Sequence, residues 1–333
     1  MPIFLDLVYV AMSVGVLWIS ANWFVDGAVG LAAKLHVPEM LVGIVLVSVA
    51  TTSPELMTSL LASIRGMPEV ALGNAIGSVI ADDTLALGLA GLIATTPLVA
   101  NPRILRTSAV VLVVVAILCF AMTFDGVLER WQGAILVSCF LGYSAFSYWD
   151  ELRQKRKGGA ALDHGVEDHE AIMHASLGKI FLLFAAGFIG VLLGSHLLLH
   201  GAMGIAEFLE IPNVIMGLTV IALGTSTPEI ATCVIAARKG KSGLAIGNII
   251  GADILNICLV AGLSAIANPL SAAKKEIFFM FPAMLIIVFT MLTMLRFGYN
   301  LTRRNGIILI SLYLVYIVVM YSTSGSGGAP ATP

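Results

Sequence analysis

The chain has 333 residues, of which 59% are hydrophobic and 11% are charged, and its formal net charge is −2. A soluble domain of this size carries about 25% charged residues. The composition, with a mean hydropathy of +0.98, therefore excludes a soluble globular protein and indicates an integral membrane protein. The sequence contains no basic patch of the kind that would indicate nucleic-acid binding.

Ten apolar segments reach the length of about 20 residues that a helix needs to cross a bilayer. They form two groups of five, separated by a polar segment that we predict to be a linker, residues 150–177. The first segment contains Asp6 and lacks a basic start, so we predict a membrane helix and not a cleaved signal. A Gly/Ser/Pro-rich end, 323–333, is typical of a disordered tail. The predicted spans are 4–33, 38–64, 68–96, 104–124, 130–149, 178–206, 211–237, 242–268, 275–297 and 304–322.

The Lys and Arg residues predict how the spans are oriented. If the N-terminus lies outside, fourteen of the 18 Lys and Arg residues fall on the inner side of the membrane. The four that fall outside are Arg65, Arg130, Lys274 and Lys275. This bias follows the positive-inside rule. We therefore expect a multi-pass protein of the plasma or inner membrane, with both termini outside and a cytoplasmic linker.

The two groups of segments are copies of one sequence. With a shift of 174 positions, residues 26–88 align without a gap to 200–262, and 21 of the 63 positions are identical. A repeat of five helices, an odd number, must enter the membrane from opposite sides in its two copies. We therefore predict an all-α membrane protein of two inverted five-helix repeats, 1–149 and 178–322, an architecture typical of secondary transporters. The identical pairs include Gly43 with Gly217, Pro54 with Pro228, Glu55 with Glu229, Asn74 with Asn248 and Gly77 with Gly251.

Each copy has a proline and a glutamate inside an apolar span, ATTSPEL at 50–56 and ALGTSTPEI at 222–230. A proline in a helix removes one backbone donor and clashes with the carbonyl four residues back. We therefore expect the carbonyls of residues 48–51 and 222–225 to be released from the helix and to face a ligand. Irregular backbone at membrane depth is tolerated only where something polar satisfies it.

The spans around these motifs contain acidic residues but no Lys or Arg in their interiors. A carboxylate at a helix centre costs about 2.5–3.5 kcal/mol, so this set needs bound cations, protons or a water-filled cavity. Carboxylate, carbonyl and hydroxyl oxygens suit hard cations such as calcium or sodium. The pattern therefore predicts a cation site. The acids are Glu55, Asp82, Asp83, Glu229 and Asp253.

In these motifs the chain resembles the calcium/cation antiporter superfamily, and most closely its sodium/calcium exchanger branch. The family pairs a GTSxPE-type segment with a GNxxGSNxxN-type segment in each of two alpha-repeats, which correspond here to 43–91 and 217–265. This chain has ATTSPE with GNAIGSVIADD, and GTSTPE with GNIIGADILN. The resemblance extends over all ten segments in order and spacing.

The resemblance implies a ten-helix exchanger with four central metal ligands, one in each motif. Hydroxyls or carbonyls beside them complete the family's calcium and sodium sites, and the first and sixth helices slide against the other eight. The four positions correspond to Glu55, Asp82, Glu229 and Asn256, and the hydroxyl positions to Thr51, Thr52, Ser78, Thr225 and Ser226.

The chain departs from the family pattern at two places. Family members often have Asn at the position of Asp82 and Asp at that of Asn256, so the two residues are exchanged here. The second copy also has Ala252 and Asp253 where the family has Ser and Asn. Asp83 and Asp253 lie off the ligand register, and both a proton-carrying and a purely structural role stay open for them.

We expect secondary active exchange of calcium for sodium by alternating access. Calcium/proton exchange on the same scaffold is the alternative, a passive cation channel fits the inverted repeat less well, and an enzyme is not expected because no nucleophile–base pair appears. The expected partners are calcium and sodium ions, or protons, and the lipid bilayer. We expect no cofactor, no nucleic acid and a monomer.

Overall fold

The structure is a computed structural model that describes residues 2–35, 37–156, 176–209 and 222–324. Nearly all of these residues are helical. The helices are α1 (Pro2–Leu35), α2 (Glu39–Thr51), α3 (Ser53–Ile64), α4 (Pro68–Ile93), α5 (Pro102–Met122), α6 (Arg130–Arg156), α7 (Leu177–Phe208), α8 (Ala222–Thr225), α9 (Thr227–Arg238), α10 (Ser242–Ala267), α11 (Lys274–Arg296) and α12 (Arg303–Ser324).

Helices α4 and α10 form the centre of the molecule. In the most apolar stretch of α4, 72% of the residues are buried, and in that of α10 83%, against 17% to 39% in the other single helices that could cross a membrane. Glycines allow this close packing, since a methyl group on Gly247 of α10 would overlap the Met40 carbonyl of α2. Small residues let membrane helices approach to backbone contact.

Helices α1 and α7 pack against each other along their lengths. Two glycines make the crossing possible, because a methyl group on Gly27 would overlap the backbone of Phe184, and one on Gly187 the backbone of Phe24. The two phenylalanine rings lie beside the crossing with centroids 4.8 Å apart. The pair is therefore built on backbone contact that only glycine permits.

Replacing one of these glycines is expected to destabilise the protein. Gly187→Ala forces the helices apart, and overpacking of this kind costs about 1–3 kcal/mol of unfolding free energy. Gly15→Ala in α1 is the control, because nothing lies within 4 Å of the added methyl group. We expect a lower midpoint of thermal unfolding in detergent for Gly187→Ala only. Equal midpoints for both variants would contradict the packing.

The proline-containing span is kinked by one residue and is not unwound. Helices α2 and α3 meet at an angle of 44° at Thr52. The Thr52 amide donates to the Ser48 carbonyl at 2.8 Å, so the predicted release of that carbonyl is wrong. The kink opens the ladder only at the next positions, where the Ser53 hydroxyl donates to the carbonyl of Ala50. Helices α8 and α9 are interrupted in the same way at Ser226.

Four short strands connect the two halves of the chain. They are β1 (Leu98–Val99), β2 (Val127–Leu128), β3 (Leu270–Ser271) and β4 (Asn300–Leu301). Strand β1 pairs antiparallel with β4, and β2 with β3. Both strands of each half are therefore paired with strands of the other half.

The apolar helices agree in part with the ten predicted spans. Within the described residues, seven single helices are long and apolar enough to cross a membrane, and α2 with α3 gives an eighth span. The fifth predicted span, 130–149, is helical but less apolar, and its helix continues to Arg156. The seventh, 211–237, lies partly outside the described residues, as do most of the predicted linker and tail. The structure is an all-α membrane fold, and the count of ten stays a prediction.

Candidate cation site

All nine residues predicted for the site are buried around the crossing of the kinked spans with α4 and α10. None of them exposes more than 4% of its surface. They are Thr51, Thr52, Glu55, Ser78, Asp82, Thr225, Ser226, Glu229 and Asn256.

The two glutamates occupy the first turns of α3 and α9, directly after the two kinks. The helix dipole favours an acidic residue at this position. The Thr52 hydroxyl of one half donates to Glu229 Oε1 of the other half at 3.1 Å. By the same relation, Ser226 lies beside Glu55. The halves therefore supply each other's glutamate with a hydroxyl neighbour.

Asp82 and Asn256 meet across the centre of the molecule. The Asn256 amide Nδ2 lies 3.4 Å from Asp82 Oδ2. Each residue begins a π-helical turn, Asp82–Ala86 in α4 and Asn256–Val260 in α10. Such turns widen the helix locally and are frequent at functional sites. The two positions exchanged relative to the family pattern are therefore direct neighbours.

Asn74 and Asn248 belong to the site, although the sequence analysis did not nominate them. The Thr51 hydroxyl donates to Asn248 Oδ1, and the Thr225 hydroxyl to Asn74 Oδ1, each at 3.2 Å. Asn74 also donates to the Glu55 carbonyl at 3.3 Å. Both asparagines orient the threonines on either side of the glutamates. Their identity in the two repeats was the signal that could have identified them.

The site contains several buried oxygens that lack a hydrogen-bond partner within the described ranges. Seven buried side-chain oxygens of the predicted residues have no hydrogen-bond partner among the described residues. No ion pair in the described ranges involves a site carboxylate. Three carboxylates, Glu55, Asp82 and Glu229, lie close enough to repel one another. The unpaired oxygens are Glu55 Oε1 and Oε2, Ser78 Oγ, Asp82 Oδ1, Ser226 Oγ, Glu229 Oε2 and Asn256 Oδ1.

This chemistry matches a hard cation. Calcium takes six to eight oxygen ligands, from carboxylates, carbonyls and hydroxyls or water. Nowhere in the described part of the chain are three His, Cys, Asp or Glu side chains arranged to hold a metal by themselves. A cation here therefore needs hydroxyl and amide oxygens in addition to the carboxylates.

Asp83 and Asp253 form a separate pair next to the site. Both are fully buried, their side chains lie against each other, and their four oxygens find no donor within the described ranges. A third acid, Asp26 of α1, is satisfied differently, because Lys239 at the end of α9 donates to it at 2.6 Å.

The fold and the site define a class of protein: a helical membrane protein whose buried site offers oxygen ligands that no described Lys or Arg pairs with. Comparison with known proteins identifies the family. A model of the family described as sodium/calcium exchanger protein matches residues 5–149 and 179–322. The chain therefore belongs to the sodium/calcium exchanger protein family.

Individual relatives agree with this assignment. The chain is 28% identical to the sodium/calcium exchanger MaX1 of Methanosarcina acetivorans, over 90% of this chain and 94% of MaX1. It is 31% identical to the putative antiporter CaxA of Alkalimonas amylolytica, over 95% and 98% of the two chains. Among solved structures, the sodium-calcium exchanger NCX_Mj, soaked with Na⁺ and Ca²⁺, is similar with a TM-score of 0.78 and 27% identity. That match covers 94% of this chain and 98% of the other.

Proposed function

We propose that this exchanger family member carries calcium across the membrane against sodium, by alternating access to the Glu55–Glu229 site. The observation that carries the proposal is the set of seven buried oxygens without a hydrogen-bond partner in the described part of the chain, five of which belong to carboxylate or amide groups. Acceptors without donors at membrane depth are costly unless a cation binds them. Family membership independently supports sodium and calcium as the cations.

The charge of the site suits both ions. Glu55, Glu229 and Asp82 carry three negative charges when ionised. Three sodium ions balance these charges, whereas one calcium ion leaves one negative charge unbalanced. Calcium would bind between the two glutamates, where carboxylates of both halves are available. Sodium ions would use the hydroxyls that flank them, those of Thr51, Thr52, Ser78, Thr225 and Ser226.

The finer architecture of the proposal is two inverted repeats with ten spans. Two observations support a two-fold relation between the halves. The described strands pair only between the halves, and the contact of Thr51 with Asn248 has its equivalent in that of Thr225 with Asn74. Inversion of the repeats would give the site two equivalent access routes, as alternating access requires. We further propose both termini outside, a cytoplasmic linker, a plasma or inner membrane location and a monomer.

Labelling of cysteines tests the inversion directly. Arg65 and Lys239 follow corresponding helices, α3 and α9, and are equivalent in the repeat. We expect Arg65→Cys to react with a membrane-impermeant reagent from outside and Lys239→Cys only from inside. Lys274→Cys, at the exposed first residue of α11, should react from outside and serves as a second marker. Reaction of positions 65 and 239 from the same side would refute inverted repeats.

Flux into proteoliposomes tests the coupling. The purified chain should take up ⁴⁵Ca²⁺ when a sodium gradient is imposed, and neither a proton gradient nor a potassium gradient alone should replace it. Uptake driven by the proton gradient alone would instead support calcium/proton exchange. Uptake that needs no counter-ion would indicate a passive channel.

A further inference from the structure

A groove of about 600 Å³ runs along the outside of the molecule between α5 and α6. It is lined mainly by apolar side chains, and two of them, Val110 and Val114, expose 64% and 56% of their surfaces. The lining of α5 extends from Arg106 to Val115, which is about 14 Å at 1.5 Å per helical residue. This length is close to half of the bilayer's hydrocarbon core of about 30 Å. The groove therefore has the depth of one lipid leaflet.

Two arginines meet at the polar end of the groove around a single tyrosine. Arg106 donates to the Tyr299 hydroxyl from Nε at 3.0 Å and from Nη2 at 2.8 Å. The guanidinium carbons of Arg106 and Arg296 lie 5.8 Å and 5.4 Å from the centroid of the same ring. Neither arginine forms an ion pair with another described residue, whereas nearby Arg103 pairs with Asp150. Two exposed cations gathered at one ring favour the binding of an anion beside them.

The tyrosine is held in a strained conformation. Tyr299 has φ of 53° and is the one residue other than glycine with positive φ in the described ranges. A left-handed backbone is unfavourable for a residue with a side chain, because Cβ comes too close to the following carbonyl oxygen. The turn is fixed by its carbonyl, which accepts from the Ala100 amide at 2.8 Å. The strained turn positions the ring in contact with both arginines.

In the described residues of the other half there is no equivalent of this cluster. The fifth residue of α5 is Arg106, but that of α11 is Phe278. The residue before β4 is Tyr299, but the one before β2 is Gly126, which also has positive φ, at 110°, and carries no side chain. The cluster therefore lies on one side of the membrane only. Under the predicted orientation this side is cytoplasmic, where the leaflet is rich in anionic lipids.

We propose that Arg106 and Arg296 bind the phosphate of an anionic phospholipid, one acyl chain of which lies in the groove between α5 and α6. The arginines supply charge and hydrogen bonds to the headgroup. The valines and Phe146 contact the acyl chain of the lipid. This lipid site is separate from the cation site and does not depend on which ions are exchanged.

Native mass spectrometry of the full chain in detergent tests the proposal. The chain is titrated with phosphatidylglycerol or with phosphatidylcholine of the same acyl chains. One arginine near a membrane surface contributes about 1 kcal/mol, so Arg106→Gln and Arg296→Gln should each weaken phosphatidylglycerol binding about fivefold. Arg304→Gln, at an exposed arginine of α12, is the matched control and should leave binding unchanged.

A groove variant separates the lipid from a free anion. Gly142 lines the groove and nothing lies within 4 Å of a methyl group added there. Gly142→Leu should therefore fill the groove and weaken phosphatidylglycerol binding with both arginines in place, and inorganic phosphate should not displace the lipid. Equal binding of the two lipids by the unmodified chain would overturn the proposal. So would displacement by phosphate with no effect of Gly142→Leu, or equal losses in the Arg304 control.

Discussion

Glu55→Gln and Glu229→Gln should each reduce sodium-driven calcium uptake to the background of empty liposomes. Each substitution keeps the shape of the side chain but removes one charge from a site that has no protein cation among the described residues. The loss of one charged partner from a buried pair costs about 3–5 kcal/mol, which corresponds to roughly a hundredfold or more in calcium affinity. Because both glutamates flank the same proposed ion, the two variants should be equally inactive.

The control for this experiment is the same substitution at an exposed carboxylate. Glu69→Gln, in the first turn of α4, should keep full exchange. Thermal unfolding of all three variants establishes that the protein is folded, and the two buried variants should be at least as stable as the original chain, since a neutral amide relieves repulsion. Calcium exchange retained by either buried variant would remove that glutamate from the site.

Asp82→Asn should reduce exchange nearly as strongly, and Asn256→Asp introduced together with it should restore much of the activity. The two side chains are neighbours, with Nδ2 of Asn256 at 3.4 Å from Asp82 Oδ2, and both are fully buried. Moving the carboxylate from one to the other changes its position by only a few ångströms and keeps three charges in the site. Sodium-driven ⁴⁵Ca²⁺ uptake measures the effect.

The two single variants are the comparisons for the double variant. Asn256→Asp alone gives the site four carboxylates, and we expect tighter calcium binding with slower turnover, because release then works against an additional charge. A double variant as inactive as Asp82→Asn would show that exchange requires the carboxylate at position 82 and not at position 256. Asp82 would then act alone, with a role that Asn256→Asp does not replace.

Much of the site could be predicted from the sequence because the repeat identifies it twice. Glu55 and Glu229 are recognisable in both copies, each directly after a proline-containing turn, and the structure buries them together. The absence of Lys and Arg from the same spans predicts acceptors that no protein cation satisfies. The choice of Asp82 and Asn256 as further ligands rests on the resemblance to the exchanger family and stays a prediction.

Other features depend on contacts between distant residues, which no local pattern encodes. The π-helical turns that begin at Asp82 and Asn256 follow from how α4 and α10 pack, and no residue preference marks them. The contacts of Asn74 with Thr225 and of Asn248 with Thr51 join residues 151 and 197 positions apart. Proline predicted a released carbonyl at Ser48, yet the Thr52 amide donates to it. Pro54 removes only the donor that would pair with Ala50, four residues back. The contact of the Tyr299 ring with two arginines depends on a backbone turn with positive φ, which a tyrosine disfavours.

Competition between sodium and calcium for the purified protein tests the central claim, that both ions use one site built around Glu55 and Glu229. Calcium binding is measured by titration calorimetry at increasing sodium concentration, with choline replacing sodium at constant ionic strength. We predict that sodium weakens calcium binding progressively without reducing the number of bound calcium ions at saturation, and that Glu55→Gln binds no calcium. Calcium affinity that is the same in sodium and in choline would contradict a shared site and, with it, the exchange mechanism.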